Sequence, residues 1–266
     1  QAYNNEAALF EGYIFQYIVR LLHELKQSGW ISLSTEHAQW YNNVLHFTEK
    51  HIWEKWVNRS IRRSGLPYRI FLGVRTHMAA HWAGIALVLE QLSENGEIKK
   101  QCRELYTAYD TLLKRNLRIN SAHPDAYIWN CTWDNTDNTQ AKKDDKVLIQ
   151  DVSHGNHVIS YIITAREMES PNWNEEDVNR FINTVQYVIY NKQGTFFSDL
   201  VNGASSSTRP GLGNFQADGW LKLGRYNQEL QDLYAHFAIT EKNLLEKYRQ
   251  SLQYYANLAL NEYYIQ

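Results

Sequence analysis

The segment Asp151–Tyr161 contains the residues of this chain that are best suited to acid–base chemistry. It reads Asp-Val-Ser-His-Gly-Asn-His-Val-Ile-Ser-Tyr and brings two histidines, an asparagine and a tyrosine close together. In a helix, His154, His157 and Tyr161 stand at positions i, i+3 and i+7, so all three share one face. Histidine titrates near neutral pH and tyrosine can donate a proton, so this face is predicted to be an acid–base surface.

The same segment has the features of a helix N-terminus. Asp151 or Ser153 can cap a helix by accepting a backbone N–H, and an apolar stripe begins at Val158. Gly155 and Asn156 add close backbone access and polarity at the helix mouth. We therefore expect a functional site here; the alternative is a surface helix whose histidines only satisfy backbone groups.

A second cluster, Arg-Thr-His-Met-Ala-Ala-His-Trp, begins at Arg75. His77 and His81 are four residues apart and project from one face of a helix. Arginine matches the shape of a carboxylate, so the cluster is predicted to form a substrate-binding edge that faces an acidic sugar. A metal site through His77, His81 and His154 is an alternative, although Met78 replaces the glutamate of the zinc-protease motif. Histidines hydrogen-bonded between packed helices are the other alternative.

Aromatic residues make up 14% of the chain, more than a core requires. Aromatic rings stack on flat apolar faces, those of sugars included. Trp129, Trp133 and Trp220 are therefore predicted to line a cleft as sugar platforms, and Tyr127 to act as a general acid or a hydrogen-bonding wall. The alternative is that these rings hold a loop to the body of the protein or pack in the core.

Helices must position these residues, because no segment shows credible strand pairing. The four prolines, at positions 67, 124, 171 and 210, all fall between helical patterns. The first helix is predicted over 6–27, with an inward stripe of Phe10, Tyr13, Ile14, Tyr17, Ile18, Leu21 and Leu22. Two long irregular segments, 120–147 and 191–213, are predicted to be functional loops.

Consecutive antiparallel helix pairs predict an all-α fold, which can be a bundle, an α-solenoid or an α/α toroid. The absence of a strict sequence repeat disfavours a solenoid. Long loops after alternate helices favour the α/α toroid, an incomplete barrel of antiparallel helix pairs with long cleft-lining loops. We expect residues 1–266 to form a single domain of this kind.

The composition limits the partners. A net charge of −2 gives no overall attraction to nucleic acid, and no apolar run is long enough for a transmembrane helix. Cys102 and Cys131 cannot define a disulfide framework, and either one bridge or two thiols is compatible with the sequence. The chain starts at Gln1 without a visible signal peptide, as a mature secreted protein does after cleavage, so the expected location is secreted or periplasmic.

These motifs resemble the α/α-toroid polysaccharide lyases. The Asp-x-Ser-His-Gly-Asn-His helix start, the Tyr-x-Trp loop before it and the Arg-Thr-His-Met-x-x-His-Trp helix are similar to the alginate- and glucuronan-cleaving lyases of polysaccharide lyase family 38. The resemblance extends from about Phe10 to Tyr226. It implies cofactor-free β-elimination on an acidic polysaccharide. The roles it implies are a base, His154 or His157; a carboxylate neutraliser, Asn156 with Arg75 or a protonated histidine; and an acid, Tyr127 or Tyr161.

No tyrosine lies between Gly194 and Trp220, so if the acid of the lyases comes from that loop, this chain departs from their pattern and the role falls to Tyr127 or Tyr161 or is absent. Two other functions are compatible with the sequence. A toroid glycoside hydrolase needs two carboxylates across the scissile bond, and the available residues are Asp134, Asp137, Asp144, Asp145 and Asp151. A helical glycan-binding protein would use the same aromatic residues and histidines without catalysis. The sequence does not determine the oligomeric state.

Overall fold

A computed structural model describes residues 6–73, 75–133, 148–190, 197–208 and 210–265. These residues are mostly helical, which confirms the all-α prediction, and they include one antiparallel pair of short strands. Within the described ranges the chain divides into two compact units, one up to Leu112 and one from Leu113 onward. The single toroid domain stays a prediction. No helix in these ranges is long and apolar enough to cross a membrane.

The first unit is a set of helices joined by short turns. They are α1 (Ala8–Gln27), α2 (Thr35–Phe47), α3 (Lys55–Ser64), α4 (Arg69–Leu72), α5 (Thr76–Leu92) and most of α6 (Gly96–Asn116). A π-helical segment, Thr48–Glu54, joins α2 directly to α3. Ser34 caps α2 by accepting a hydrogen bond from the His37 N–H, and Gly65, at a φ of 72°, ends α3.

The buried face of α1 is only partly the one predicted, because Leu22 is buried as expected but most of the predicted stripe is not. Its buried residues are Gly12, Gln16, Val19 and Leu22. Its exposed residues, all expected inside, include Phe10, Tyr13, Ile14 and Leu21. The reason is close packing on α5, where a Cβ added at Gly12 would lie 2.8 Å from Nε1 of Trp82. Because Gly12 has no side chain, the face of α1 that carries it can approach α5 most closely. The apolar positions alone therefore do not predict which face of α1 is buried.

Helix α5 is the core of the first unit. Every residue from Ala79 to Leu89 is buried, as expected for a helix that is mostly apolar all round. The Trp82 ring lies 4.6 Å from the Phe71 ring of α4 and 6.4 Å from the Trp56 ring of α3, between ring centroids. This packing holds α3 and α4 on α5 and fixes the turn between them.

The second unit combines the strand pair with further helices. The strands are β1 (Arg118–Ile119) and β2 (Tyr127–Ile128), with Arg118 opposite Ile128. The helices are α7 (Val152–Glu167), α8 (Glu175–Asn183), α9 (Gly219–Lys222), α10 (Gln228–Thr240), α11 (Lys242–Lys247) and α12 (Ser251–Ile265). A capping box formed by Asn174 and Asp177 starts α8.

Short backbone contacts fix where α7 begins. Isolated β-bridges pair Asn130 with Ile149 and Asp151 with Leu200, and the Val152 N–H donates to the Asp199 carbonyl at 2.8 Å. The segments before and after α7 in the chain therefore hold its N-terminus from both sides. Because these bonds occupy backbone groups, the side chains of the first turn are left to interact with each other and with solvent.

Helix α9 lies against α7 with almost no space between the two backbones. A Cβ added at Gly219 would overlap the carbonyl oxygen of Asn156 and the amide nitrogen of Ser160. Gly155, on the first turn of α7, is similarly close to tryptophan rings, with a Cβ 3.1 Å from Trp220 and 3.3 Å from Trp129. Glycine at these two positions is what lets α9 and the rings pack under α7.

Replacing Gly219 by alanine is therefore expected to destabilise the protein. Overpacking of this kind typically costs about 1–3 kcal/mol, and here the overlap is with backbone that cannot rotate away. Gly96 is the matched control, because it is also the first residue of a helix but has open space around its Cβ position. Chemical denaturation of Gly219→Ala and Gly96→Ala measures both, and equal stability of the two variants would contradict the close contact.

Candidate active site

Asp151 is both the N-cap of α7 and the partner of the His154 ring. Its Oδ1 accepts a hydrogen bond from the His154 backbone N–H at 3.0 Å, which confirms the predicted cap. The same carboxylate lies against the imidazole, with Nδ1 of His154 2.8 Å from Oδ1 and 2.9 Å from Oδ2. One side chain thus starts the helix and orients the histidine three residues later.

This pair has the geometry of an oriented general base. A carboxylate only accepts hydrogen bonds, so Nδ1 of His154 carries the proton and Nε2 holds the lone pair of the neutral ring. The His154 side chain is 36% exposed and that of Asp151 is 19% exposed, so a molecule in solvent can reach the ring. A histidine held in one tautomer by a carboxylate is a common source of proton transfer in enzymes.

His157 is one turn further along α7 and partly buried. Burial lowers the pKa of His157 below its ordinary value of 6.5. Lys222 and a protonated His154 lower this pKa as well, whereas the carboxylates of Asp218 and Asp151 act in the opposite direction. The neutral imidazole of His157 is therefore favoured, because the charged form loses hydration on burial.

Asn156, the predicted carboxylate neutraliser, holds α9 in place. Its side chain is buried, and its Oδ1 accepts a hydrogen bond from the Trp220 backbone N–H at 3.0 Å. The Trp220 indole N–H in turn donates to the Val152 carbonyl at 2.8 Å. These two bonds fasten the start of α9 to the first turn of α7. Because Oδ1 is an acceptor here, Nδ2 is the end of the amide that can donate elsewhere.

A buried polar group that the sequence analysis missed lies between the same two helices. The Lys222 ammonium donates to Asp218 Oδ1 at 2.5 Å and to Ser160 Oγ at 3.1 Å, and Ser160 Oγ donates to Asp218 Oδ1 at 3.1 Å. All three side chains are buried. We call Ser160, Asp218 and Lys222 the α7–α9 polar cluster. Opposite charges four residues apart, at 218 and 222, were the available clue in the sequence.

The prediction that Trp129, Trp133 and Trp220 face a cleft is wrong, because all three are buried in the core. Trp129 and Trp220 are fully buried and Trp133 is 2% exposed. The Trp129 ring lies 5.8 Å from the Trp220 ring and 5.6 Å from the Phe181 ring, between centroids. The polar sequence around Trp129 and Trp133 concealed this, since their packing partners come from distant parts of the chain.

The tyrosines proposed as acids are not placed on an open acid–base face. Tyr161 is buried, so the predicted face of His154, His157 and Tyr161 is only partly accessible. The Tyr127 hydroxyl donates to Asp177 Oδ1 at 2.9 Å. Burial, and then this hydrogen bond, raises the pKa of Tyr127 to about 12. Asp177 also accepts a hydrogen bond from Lys114. The bond between Tyr127 and Asp177 therefore holds β2 against α8.

The second predicted cluster belongs to the first unit. Arg75 is the N-cap residue of α5 and is half-buried, as is His77. His81 is buried, with its ring 5.3 Å from the Tyr13 ring in an edge-to-face contact. This surrounding matches the alternative of a histidine packed between helices, and the substrate-binding role of Arg75, His77 and His81 stays a prediction.

The described ranges contain no cluster of three or more His, Cys, Asp or Glu side chains able to hold a metal ion. Cys102 and Cys131 are both buried and are not joined by a disulfide. Of the carboxylates considered for a hydrolase, Asp134, Asp137, Asp144 and Asp145 lie outside the described residues. Asp151 is engaged with His154, as described above.

No protein-family model, curated protein or solved structure matches this chain.

The burial of Trp129 gives a stability prediction. Trp129→Ala is expected to lower the free energy of unfolding by roughly 3–5 kcal/mol, since it empties a large core site. Trp40, which is 44% exposed on α2, is the control, and Trp40→Ala should cost less than about 1 kcal/mol. Denaturant titrations give both values, and a Trp129→Ala protein of unchanged stability that loses oligosaccharide binding would restore the platform role.

His157 gives a prediction for the pH dependence of stability. Its pKa is lowered in the folded protein, so unfolding takes up a proton below the unfolded value of about 6.5. Stability should therefore fall as the pH drops below about 6.5, and His157→Gln should make that fall shallower. His46→Gln, at an exposed site on α2, is the matched control and should keep the slope of the unmodified protein. Equal slopes for all three proteins would show that His157 does not contribute.

Proposed function

We propose that this protein is a polysaccharide lyase that cleaves an acidic, uronate-containing polymer of the alginate or glucuronan type by β-elimination. The Asp151–His154 pair is the observation that carries the proposal, because removing a weakly acidic C5 proton needs an oriented and accessible base. The resemblance of the α7 start to the lyases of family 38 supports the class of reaction.

In the proposed reaction, Nε2 of His154 takes the proton from C5 of the uronate. The released electron pair forms a double bond between C4 and C5 as the bond from C4 to the leaving O4 breaks. Negative charge builds up on the sugar carboxylate as the C5 proton leaves, and we assign its stabilisation to the Nδ2 group of Asn156, whose Oδ1 is held by the Trp220 N–H. His157, kept neutral by burial, adds no competing positive charge beside His154.

The leaving O4 also needs a proton, and the tyrosines assigned to that role are held elsewhere. Tyr161 is buried and the Tyr127 hydroxyl is bound to Asp177. We therefore assign the acid role to the same His154 imidazole, which returns the C5 proton to O4. The proton moves within the substrate by way of one base, so no oxidant, reductant or cofactor is needed.

A single imidazole that serves as both base and acid restricts the substrate. The C5 hydrogen and O4 must lie on the same side of the sugar ring, as they do in mannuronate and glucuronate but not in guluronate. We expect cleavage of polymannuronate and glucuronan, and much slower cleavage of polyguluronate, followed by the ultraviolet absorbance of the unsaturated product. Equal rates on the three polymers would contradict the single-base assignment.

Variants at the pair test the site directly. His154→Ala should lower turnover by at least about a hundredfold, the usual size of a general-base contribution. Asp151→Asn keeps a good N-cap but loses the charge that holds the imidazole, so turnover should fall while the fold is retained. His46→Ala is the control for loss of a histidine away from α7 and should keep full turnover.

The outcomes separate the alternatives. New reducing ends without the unsaturated product would indicate a hydrolase, and binding without any product would indicate a glycan-binding protein. Full lyase activity in His154→Ala would show that the start of α7 is not the site, even if the reaction is correct.

We also propose that the helix pairs form an α/α toroid and that the protein is secreted or periplasmic, where it would meet an external polymer. The acidic polysaccharide is the proposed partner, and no nucleic acid is proposed as one because the net charge is −2.

A further inference from the structure

The first unit contains a cavity of about 390 Å³ beside helices α3 and α4. Its lining consists of Glu6, Trp56, Arg59, Arg62, Arg63 and Ile70. A volume of this size accommodates a small organic molecule. Three guanidinium groups against one carboxylate give the lining an excess of positive charge, although the whole chain carries a net charge of −2.

The inner wall of this arginine cavity is held by several contacts. The Arg59 guanidinium lies 4.6 Å from the centre of the Trp56 ring and is paired with the Glu6 carboxylate. The Trp56 indole N–H donates to Glu11 Oε2 at 2.7 Å, and Lys55 bonds the same carboxylate at 2.7 Å. Arg59 is therefore a guanidinium held between the Trp56 ring and the Glu6 carboxylate.

The turn between α3 and α4 fixes another part of the lining. Ser60 Oγ donates to the Leu66 carbonyl at 2.7 Å and accepts from the Ile70 N–H at 3.2 Å. These bonds hold the backbone at Ile70, an apolar residue of the lining, whereas Arg62 and Arg63 in the last turn of α3 are exposed. Arginines in the last turn of a helix also interact favourably with the negative end of the helix dipole. That interaction requires neither a cavity nor an apolar wall.

We propose that the arginine cavity binds a sugar-sized molecule that carries an oxyanion, either a carboxylate or a phosphate. The guanidinium fork matches both groups, and the apolar parts of Trp56 and Ile70 match the body of a small ring. Glu6 occupies Arg59 in the structure, so the ligand's oxyanion takes the place of the Glu6 carboxylate. The proposal does not depend on the reaction assigned to the Asp151–His154 pair.

Isothermal titration calorimetry on the full chain tests the site with three probes: glucuronate, glucose 6-phosphate and glucose. We expect one or both anions to bind and glucose not to bind. Replacing Arg62 and Arg63 together by glutamine should weaken anion binding at least about tenfold, the size expected for a lost charged hydrogen bond. Arg115→Gln, an exposed arginine in the last turn of α6, is the matched control and should bind like the unmodified protein.

Glu6→Gln is the second test, because it removes the carboxylate that competes for Arg59; it also removes the weaker pairing of Glu6 with Lys55 at 3.8 Å, while Lys55 keeps its bond to Glu11. Tighter anion binding by this variant is the expected result, and the difference between the two anions identifies carboxylate or phosphate as the preferred group. No binding of either anion at millimolar concentration overturns the proposal. So does equal binding of glucose, or an Arg62 and Arg63 double variant that binds as tightly as the Arg115→Gln control.

Discussion

The contact between α9 and α7 at Gly219 determines how the candidate active site is built. No side chain fits between the two backbones, so the polar groups that the contact buries have to find partners within it. Asn156 binds the Trp220 N–H, and the α7–α9 polar cluster satisfies its own ammonium, hydroxyl and carboxylate groups. Leaving any one of these groups without a partner would cost free energy that a small unit cannot easily recover. The packing of the inner face of α7 is therefore fixed independently of the reaction proposed for its outer face.

On the outer face of α7, the charge of the Asp151 carboxylate has two roles. The Asp151 carboxylate lies at the positive end of α7, where the helix dipole favours an anion. The same anion can stabilise the imidazolium that forms when His154 takes up a proton, so the cap and the proposed reaction need the same charge state. A neutral residue at position 151 can satisfy the cap but cannot stabilise the charged ring. Helix formation and the proposed proton transfer are linked through this one side chain.

The parts of the molecule that follow from local sequence were predictable. Asp151 as an N-cap and the capping box of Asn174 and Asp177 involve residues three apart, and local hydrogen bonding decides them. The buried face of α1 was not predictable, because it depends on how closely Gly12 can approach Trp82, seventy positions further on. Apolar residues mark which positions can be buried, but the partner surface decides which positions are.

The buried tryptophans show the same limit at the site itself. Trp129 follows β2 at the start of a polar segment, and its environment comes from Phe181 and Trp220, which no local pattern connects to it. The opposite charges of Asp218 and Lys222 were visible in the sequence as a surface pair. They are buried because Gly219 lets their helix sink against α7. Gly219 lies between these two charged residues in the sequence. Its role in their burial becomes apparent only when the position of α7 is known.

The location of the tryptophans also changes how a sugar polymer would be recognised. With Trp129 and Trp220 in the core, stacking on these rings cannot select the substrate in the proposed reaction. Among the described residues of the second unit, the exposed large aromatic side chains are instead tyrosines, such as Tyr187, which stacks on His123 at 4.5 Å between ring centroids. Recognition would then depend mainly on charge and hydrogen bonds to the uronate carboxylate, interactions that weaken with salt. Such a site favours the acidic polymer over neutral polymers of the same shape, because only the former carries the group that the reaction also requires.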